Sequence, residues 1–312
     1  MTFPFVIKNS EDCKTLEQTL KWIKPKIEAI KAQLAEDGAV LFRGFPIRVA
    51  EDFDTFSAVF SYGDFTYQES LSNAVRINFT PRVFTANEAP PDTEIFLHHE
   101  MAQTPISPEK LFFCCLSAAE HGGATPLCRS DLLFAKYSSQ HPDWAAAFAE
   151  KGLKYTTEMP PQDDLRSGQG RSWRSTLSVE TVAEAERKLA ELGYSWLWQA
   201  DESLLATTPP LPAARELSDG STSFYNQVVA AYFGWPGVKD NPDARLTFGD
   251  GSSIPPQALE AVAELAGEFT YDLLWQDGDI ALVDNHRVMH GRRPYSGARK
   301  RQVLVSLARE AA

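Results

Sequence analysis

Four of the six histidines lie in two tight groups, His98-His99-Glu100 and His286 to His290. On an extended strand, residues i and i+2 face the same side. The alternation therefore predicts that His98 and Glu100 converge while His99 points away. The approach Ile95-Phe96-Leu97 is apolar, as such a strand requires. A second apolar run, Ile280-Ala281-Leu282-Val283-Asp284, leads to His290, which is expected just beyond the strand's end. One carboxylate and two imidazoles on one side of a barrel would form a facial triad. That leaves three positions of an octahedral metal open and suits non-haem Fe(II) with O2. Spacing alone also allows a plainer alternative, in which His98 and His99 are hydrogen-bonded strand residues and His290 is a loop histidine. A zinc hydrolase fits less well, because no HExxH occurs. His286 and His290 have helical spacing, but Gly291 and Pro294 oppose a helix there.

Basic residues gather beside the second group. Arg287, Arg292, Arg293, Arg299, Lys300 and Arg301 fall within 287–301 of a chain that is acidic overall. Arg301 opens the run Gln302-Val303-Leu304-Val305, so a strand would hold its guanidinium rigidly. A guanidinium grips carboxylates through a two-pronged fork, which suits a dicarboxylate cosubstrate. Arg292, Arg299 and Lys300 are read as a solvated basic loop.

The elements that must position these groups alternate along the chain. Leu16, Leu20, Ile23, Ile27, Ile30 and Leu34 mark an amphipathic helix, bent at Pro25 and stopped by Gly38. Ala39–Arg43 reads as a buried strand. Phe53, Phe56, Val59 and Phe60 mark a helix that ends at Gly63. Strand signals and Pro-rich turns fill 64–128, including the Glu88–Asp92 turn. Helices are expected after Ser130 and at Pro142, and over 179–192 and 256–266. The stretch 158–172 is polar and Gly/Pro-rich, the best candidate for a mobile loop. Strands 269–275, 279–284 and 302–308 close the chain, with Asp277-Gly278 joining the first two as a hairpin.

Composition bounds the reading. The 312 residues carry 30 Lys and Arg against 42 Asp and Glu, a formal net charge of −12, with 43% hydrophobic residues. Such a chain buries a substantial core, and its charge opposes general affinity for nucleic acid or anionic membranes. No apolar run approaches the ~18 residues of a spanning helix, and the N-terminus does not read as a signal peptide. Cys13, Cys114, Cys115 and Cys128 show no CxxC spacing. The expectation is a soluble, cytoplasmic protein without structural disulfides.

At these residues the sequence resembles the TauD/TfdA family of Fe(II)- and 2-oxoglutarate-dependent oxygenases, and within it a clavaminate-synthase-like subgroup. His98-His99-Glu100 is similar to the family's HxD/E, and Asp284-Asn285 with His290-Gly291-Arg292 to its distal-histidine segment. Arg301 falls where the family keeps the arginine for the C5 carboxylate of 2-oxoglutarate. Gly122-Gly123-Ala124-Thr125 is similar to the family's GGxT, whose threonine assists the same carboxylate. Val83–Glu88, Leu97–Ala102, Gly170–Thr176, Asn226–Tyr232 and Thr247–Gly251 resemble the subgroup, and the likeness runs over about 36–309.

The resemblance implies a mainly β fold with α decoration, a distorted double-stranded β-helix (jelly roll) flanked by helices. It implies a single domain over 1–312, with a helical and loop insert at about 130–225. His98, Glu100 and His290 would hold Fe(II), and Thr125 and Arg301 the far carboxylate of 2-oxoglutarate. The reaction implied is O2-dependent, releasing succinate and CO2 while an aliphatic C–H is hydroxylated; desaturation and oxidative cyclisation are its alternatives. Halogenation is disfavoured because Glu100 keeps the carboxylate that related halogenases lose. The alternative of another class is a catalytically silent jelly-roll binding protein. The substrate implied is an amino acid or amino-acid-derived molecule of specialised metabolism, free or tethered to a carrier protein. Several family members hold a substrate with a second arginine four residues after the first, where this chain has Val305. Either Arg293 or Arg174 replaces it, or the substrate has no free carboxylate. Asn87 and Glu88 are candidates to meet a polar substrate, with an Asx-type turn as their alternative. Asn226, with Trp173, Tyr232 and Phe248, is a candidate for the pocket wall, with core packing as the alternative.

Overall fold

The computed structural model describes residues 3–66, 70–86, 88–164 and 170–310. Thr15 caps the first helix, Leu16–Ile23, by accepting from the Gln18 backbone N–H. A 3-10 turn at Lys24–Lys26, with Pro25 inside it, breaks the helical pattern where the proline predicts. The helix resumes as Ile27–Asp37 and stops at Gly38, φ +81°. A Cβ there would lie 2.6 Å from Val288 Cγ2, so both conformation and space require glycine.

Two sheets carry the core. The larger runs in the order Phe5–Lys8, Ala39–Arg43, Ile280–Asp284, Lys110–Ser117, Gln302–Arg309 and Gly63–Asp64, with Val83–Thr85 also paired to Gln302–Arg309. The smaller runs Thr270–Leu273, Thr125–Arg129, Val288–Arg292, Ile95–His98. Leu111, Phe113, Val303 and Val305 from the first pack with Leu127, Leu273 and Val288 from the second, so the sheets face each other across one apolar layer. The far side of the larger sheet is covered by the N-terminal helices through Phe42, Phe56, Phe60 and Phe112. Helices Ser130–Gln140, Pro142–Lys151, Val228–Gly234 and Pro256–Ala266 contribute to a separate core with Cys128 and Met289 of the smaller sheet. Among the described residues no helix is long and apolar enough to cross a membrane. All four cysteines are buried and free.

Several local expectations are corrected. Asp277-Gly278 turns the chain but makes no hairpin, because Thr270–Leu273 pairs in one sheet and Ile280–Asp284 in the other. Asp279 fixes this crossing: its buried carboxylate takes Arg43 Nη2 at 2.6 Å and the Gln276 N–H at 2.9 Å. The second helix is Ala50–Ala58 and ends well before Gly63. Ser130 stands inside its helix and donates to the Arg287 carbonyl instead of capping. The stretch 130–225 holds helices and also strands, with Ser195–Trp198, Leu204–Thr207 and Leu153–Met159 joined to Leu246–Phe248 in a third sheet. The strand Leu153–Met159 shortens the expected 158–172 loop at its start, the helix Trp173–Leu177 begins directly after its end, and its residues 165–169 lie outside the described residues.

Candidate metal centre

Among the described residues, one group of His, Cys, Asp or Glu side chains is placed to hold a metal ion: His98, Glu100 and His290, whose ligand atoms lie within 4.8 Å of one another. His98 and His290 face each other as paired residues of adjacent strands, with ring centroids 4.4 Å apart. The strands can approach because of Gly291, where a Cβ would lie 2.4 Å from the Ile95 carbonyl oxygen. His290 therefore sits within its own strand, Val288–Arg292, not past the end of the previous one. The strand carrying His98 ends there, so Glu100 reaches the site from the following turn and not by strand alternation. Met101, at φ +59°, continues that turn.

Asn285 holds the turn from across the fold. Its Oδ1 accepts the Glu100 N–H at 2.7 Å, and its Nδ2 donates to the Glu100 and Pro108 carbonyls. Its own carbonyl accepts from His99 Nδ1 at 2.5 Å, which turns His99 away from the site and into the core. Thus one residue, Asn285, anchors both His99 and Glu100.

The donor set fits a divalent metal in its protonation states as well as its geometry. His98 donates Nδ1–H to the Phe96 carbonyl at 2.7 Å, which leaves the Nε2 lone pair for a metal. Burial pushes His98 down to about 4, and His290 adds to the effect, so the ring is neutral near pH 7. Burial alone would raise Glu100, but Arg76, His290 and His98 outweigh it and bring the carboxyl to about 2. Glu100 Oε2 stands 3.3 Å from His290 Nε2, while Oε1 takes Arg76 Nη2 at 2.8 Å. His290 Nδ1 is buried without a hydrogen-bond partner, so its ring is placed by packing, chiefly against Phe113 at 5.1 Å.

Two cavities meet at this group. The inner one, about 60 Å³, is lined by His98, Glu100, His290, Thr125, Arg301 and Arg76, among others. Arg301 donates Nε–H to the Gly123 carbonyl at 3.1 Å and pairs with no carboxylate among the described residues. Burial, with Arg292 nearby, lowers it to about 10, so it stays cationic at neutral pH. A half-buried guanidinium without a counter-ion is partly desolvated, and an anion that joins it offsets that cost. Gly123 makes room for it: a Cβ there would stand 3.1 Å from Arg301 Cδ and Nε. The Thr125 hydroxyl accepts from Trp275 Nε1 at 2.9 Å, which leaves its own hydrogen to donate. A dicarboxylate end would therefore meet one cation and one oriented O–H.

The outer chamber, about 240 Å³, shares Arg76, Ile95, His98 and Glu100 with the inner one. Phe96, Met101 and Trp235 give it apolar walls, and Ser72, Gln103 and Gln227 give it polar ones. Asn73, Trp235 and Pro236 also line a further hollow of about 290 Å³.

The remaining sequence candidates are not brought to the metal group. Arg293 pairs with Glu94 at 2.6 Å and Asp272 at 3.0 Å; Glu94 lines the outer chamber, while Arg293 itself lines neither cavity. Arg174 lies over the Trp173 ring and donates to the Glu180 and Pro161 carbonyls at the surface. Asn226 is fully buried, donating to the Ala213 carbonyl and accepting the Val228 N–H. Trp173, Tyr232 and Phe248 are core residues. Glu88 is exposed, and Asn87 lies outside the described residues. Arg292 is no solvated loop residue: it is buried and donates to the carbonyls of Ala89, Pro90 and Thr93, which fixes that turn. Sequence reasoning missed Arg76, Asn285 and Trp275 as contributors. Of these only Asn285 lay in a motif that could have drawn attention to it.

The taurine catabolism dioxygenase TauD, TfdA family model matches residues 10–307. A clavaminate synthase-like protein of Arabidopsis thaliana is 36% identical over 293 residues, 94% of this chain and 87% of that protein. The dapdiamide synthesis protein DdaC of Enterobacter agglomerans is 26% identical over 287 residues, 87% of this chain and 83% of that protein. In fold, the chain is similar to a taurine dioxygenase from Burkholderia xenovorans, with a TM-score of 0.53 at 17% identity, covering 92% of this chain and 82% of that one.

Proposed function

From a chain that belongs to the TauD/TfdA dioxygenase family, we propose an oxygenase in which His98, Glu100 and His290 hold Fe(II) while Thr125 and Arg301 hold 2-oxoglutarate. The protein is a dioxygenase, an oxidoreductase, and the family's cofactors are Fe(II), 2-oxoglutarate and O2. One observation carries the residue assignment: three metal-ligand atoms within 4.8 Å open onto a cavity lined by Arg301, which is half-buried and pairs with no carboxylate among the described residues. The facing sheets are read as a double-stranded β-helix, and 1–312 as one oxygenase unit.

Bound there, Fe(II) with 2-oxoglutarate and O2 supplies oxidative decarboxylation to succinate and CO2, coupled to oxidation of an aliphatic C–H. The chain's own groups do the rest. Phe96 and burial keep His98 a neutral donor. Arg76 holds one oxygen of Glu100 and leaves the other toward His290. Trp275 turns the Thr125 hydroxyl into a donor for the far carboxylate, beside Arg301. The outer chamber takes the substrate next to the metal group, with water excluded by Phe96, Met101 and Trp235.

The substrate is an amino acid or an amino-acid derivative, free or tethered to a carrier, and hydroxylation is the leading outcome. A relative named for the synthesis of a diamide supports a nitrogen-bearing substrate. Arg174 is held at the surface and Arg293 is ion-paired to Glu94 and Asp272, so neither offers a free guanidinium in place of the arginine absent at Val305. The test is optical. Anaerobic Fe(II) and 2-oxoglutarate together should give a visible metal-to-ligand charge-transfer band, and His290→Ala should give none. Absence of the band in the unaltered protein overturns the reading.

A further inference from the structure

Residues 170–176 line neither cavity, although one of them holds a segment that lines both. Over 70–77 the chain forms no helix or strand, and residues 70–75 are buried. Buried peptide groups outside a regular ladder need partners from elsewhere. Arg171 supplies two of them. Its backbone N–H donates to the Asn73 carbonyl at 3.0 Å, and its Nη1 donates to the Ser72 carbonyl at 2.8 Å. The same guanidinium donates Nη2 to the Ser175 carbonyl at 2.5 Å and Nε to the Ser175 hydroxyl at 3.2 Å. One fork therefore ties the segment to the helix Trp173–Leu177, against which Leu71 also packs. At its other end the segment is fixed by Thr85, whose hydroxyl accepts the Ile77 N–H at 3.0 Å and whose N–H donates to the Ile77 carbonyl at 2.9 Å. Arg76 stands between these two holds and donates to Glu100 Oε1 at 2.8 Å.

We propose that Arg171 is a positioning residue for the metal group, acting through Arg76. A side chain aims only as well as its backbone is placed. Arg171 fixes the carbonyls just ahead of Arg76, so the Arg76 guanidinium meets one oxygen of Glu100 and the other stays on the His290 side. Without the fork this stretch can shift, and Glu100 loses its fixed partner. A lysine at 171 would keep the charge but is a single point of attachment, so it cannot span the Ser72 and Ser175 carbonyls as the planar fork does.

The role of Arg171 rests on the metal assignment of the oxygenase reading. The experiment therefore measures binding of Co(II) alone, a divalent stand-in for Fe(II), to the metal-free protein by calorimetry. Arg171→Leu should weaken Co(II) binding by about 2–30-fold, the range of coupling carried through a packed network. In an Arg76→Leu background the same substitution should change binding by less than about twofold, because the route is already cut. Arg171→Lys should show part of the loss with the charge unchanged. Unaltered affinity in Arg171→Leu, an equal loss in both backgrounds, or full recovery in Arg171→Lys overturns the proposal. His290→Ala separates the two failures. Co(II) binding that the unaltered protein lacks, or that His290→Ala retains, sinks the metal assignment. Binding that His290→Ala loses but that is indifferent to Arg171 sinks only the role of Arg171. If Arg171→Leu has no cooperative melting transition, Arg171→Lys carries the comparison in both backgrounds.

Discussion

Arg76 Nη2 lies 2.8 Å from Glu100 Oε1, and both side chains are almost wholly buried. The pair joins a segment without regular structure to the turn that carries the carboxylate. It divides the two oxygens of Glu100 between a guanidinium and the His290 side. Groups that orient a metal ligand in this way usually matter about 10–100-fold to metal affinity or activity. Arg76→Leu should lower 2-oxoglutarate turnover by about that factor, and Arg76→Lys by less, because it keeps the charge. Turnover measured across an Fe(II) titration checks this. Equal turnover in Arg76→Leu would mean that the pair only balances charge.

The inner cavity yields a second expectation. Arg301→Leu removes its cation and should raise the KM for 2-oxoglutarate by about 10–100-fold, the range of a lost charge-assisted hydrogen bond. Trp275→Phe keeps an aromatic ring but frees the Thr125 hydroxyl to rotate, so its KM should rise by only a few-fold. Steady-state kinetics in 2-oxoglutarate would show the ordering. A larger effect from Trp275→Phe than from Arg301→Leu would refute it.

A buried ion network away from the metal group governs stability. Asp131 receives Arg129 Nη2 and Arg287 Nη1, each at 2.6 Å, with the Asp131 and Arg287 side chains almost fully buried. Asp131→Asn leaves both arginines without that charge and should cost about 3–5 kcal/mol. Burial would raise the Asp131 carboxyl, but the two arginines hold it below its ordinary value. Its contribution is therefore complete above the ordinary carboxylate range and is lost as pH falls through the lowered one. Urea unfolding of both proteins at neutral and acid pH measures the difference, which should shrink in acid.

Three histidines contribute to the acid response of the metal-free protein, among them His286, which burial lowers to about 4. Burial lowers His98 to about 4 and His99 to about 3 from an ordinary 6.5. Below 6.5 the unfolded chain binds protons that the folded chain refuses, so stability is complete above 6.5 and falls as pH drops toward those lowered values. Melting temperature recorded with chelator should decline over that window, and His99→Gln should make the decline shallower. A flat melting profile over the same window would contradict the assignment of neutral, buried rings.

The proposed metal group, His98, Glu100 and His290, was legible in the sequence through its likeness to the family motif, because spacing alone also allowed hydrogen-bonded strand histidines. Arg301 and Thr125 were read from the same family likeness; that Gly123 gives Arg301 its room came only from the structure. The route by which Glu100 arrives was not legible. Alternation presumes that the strand continues, and the strand stops at His98. The exposed-loop reading of Arg292 failed because charge alone does not reveal three backbone carbonyls waiting in the turn at 89–93.

What the sequence determined by itself was the chemistry: two imidazoles and a carboxylate, a threonine, an arginine, and the family to which their order belongs. The helix end at Gly38 and the break at Pro25 were equally local, because capping and proline geometry act within a few residues. Tertiary structure decided which polar groups touch those residues. Arg76 meets Glu100 and Asn285 meets the His99-Glu100 turn only when segments far apart in sequence come together, and Trp275 meets Thr125 because the strand that leads to Trp275 pairs with that of Thr125 in one sheet. Contacts of that kind depend on how distant strands pair and cross, as the Asp277-Gly278 turn shows by sending its flanking strands to different sheets. A local pattern carries no record of that choice.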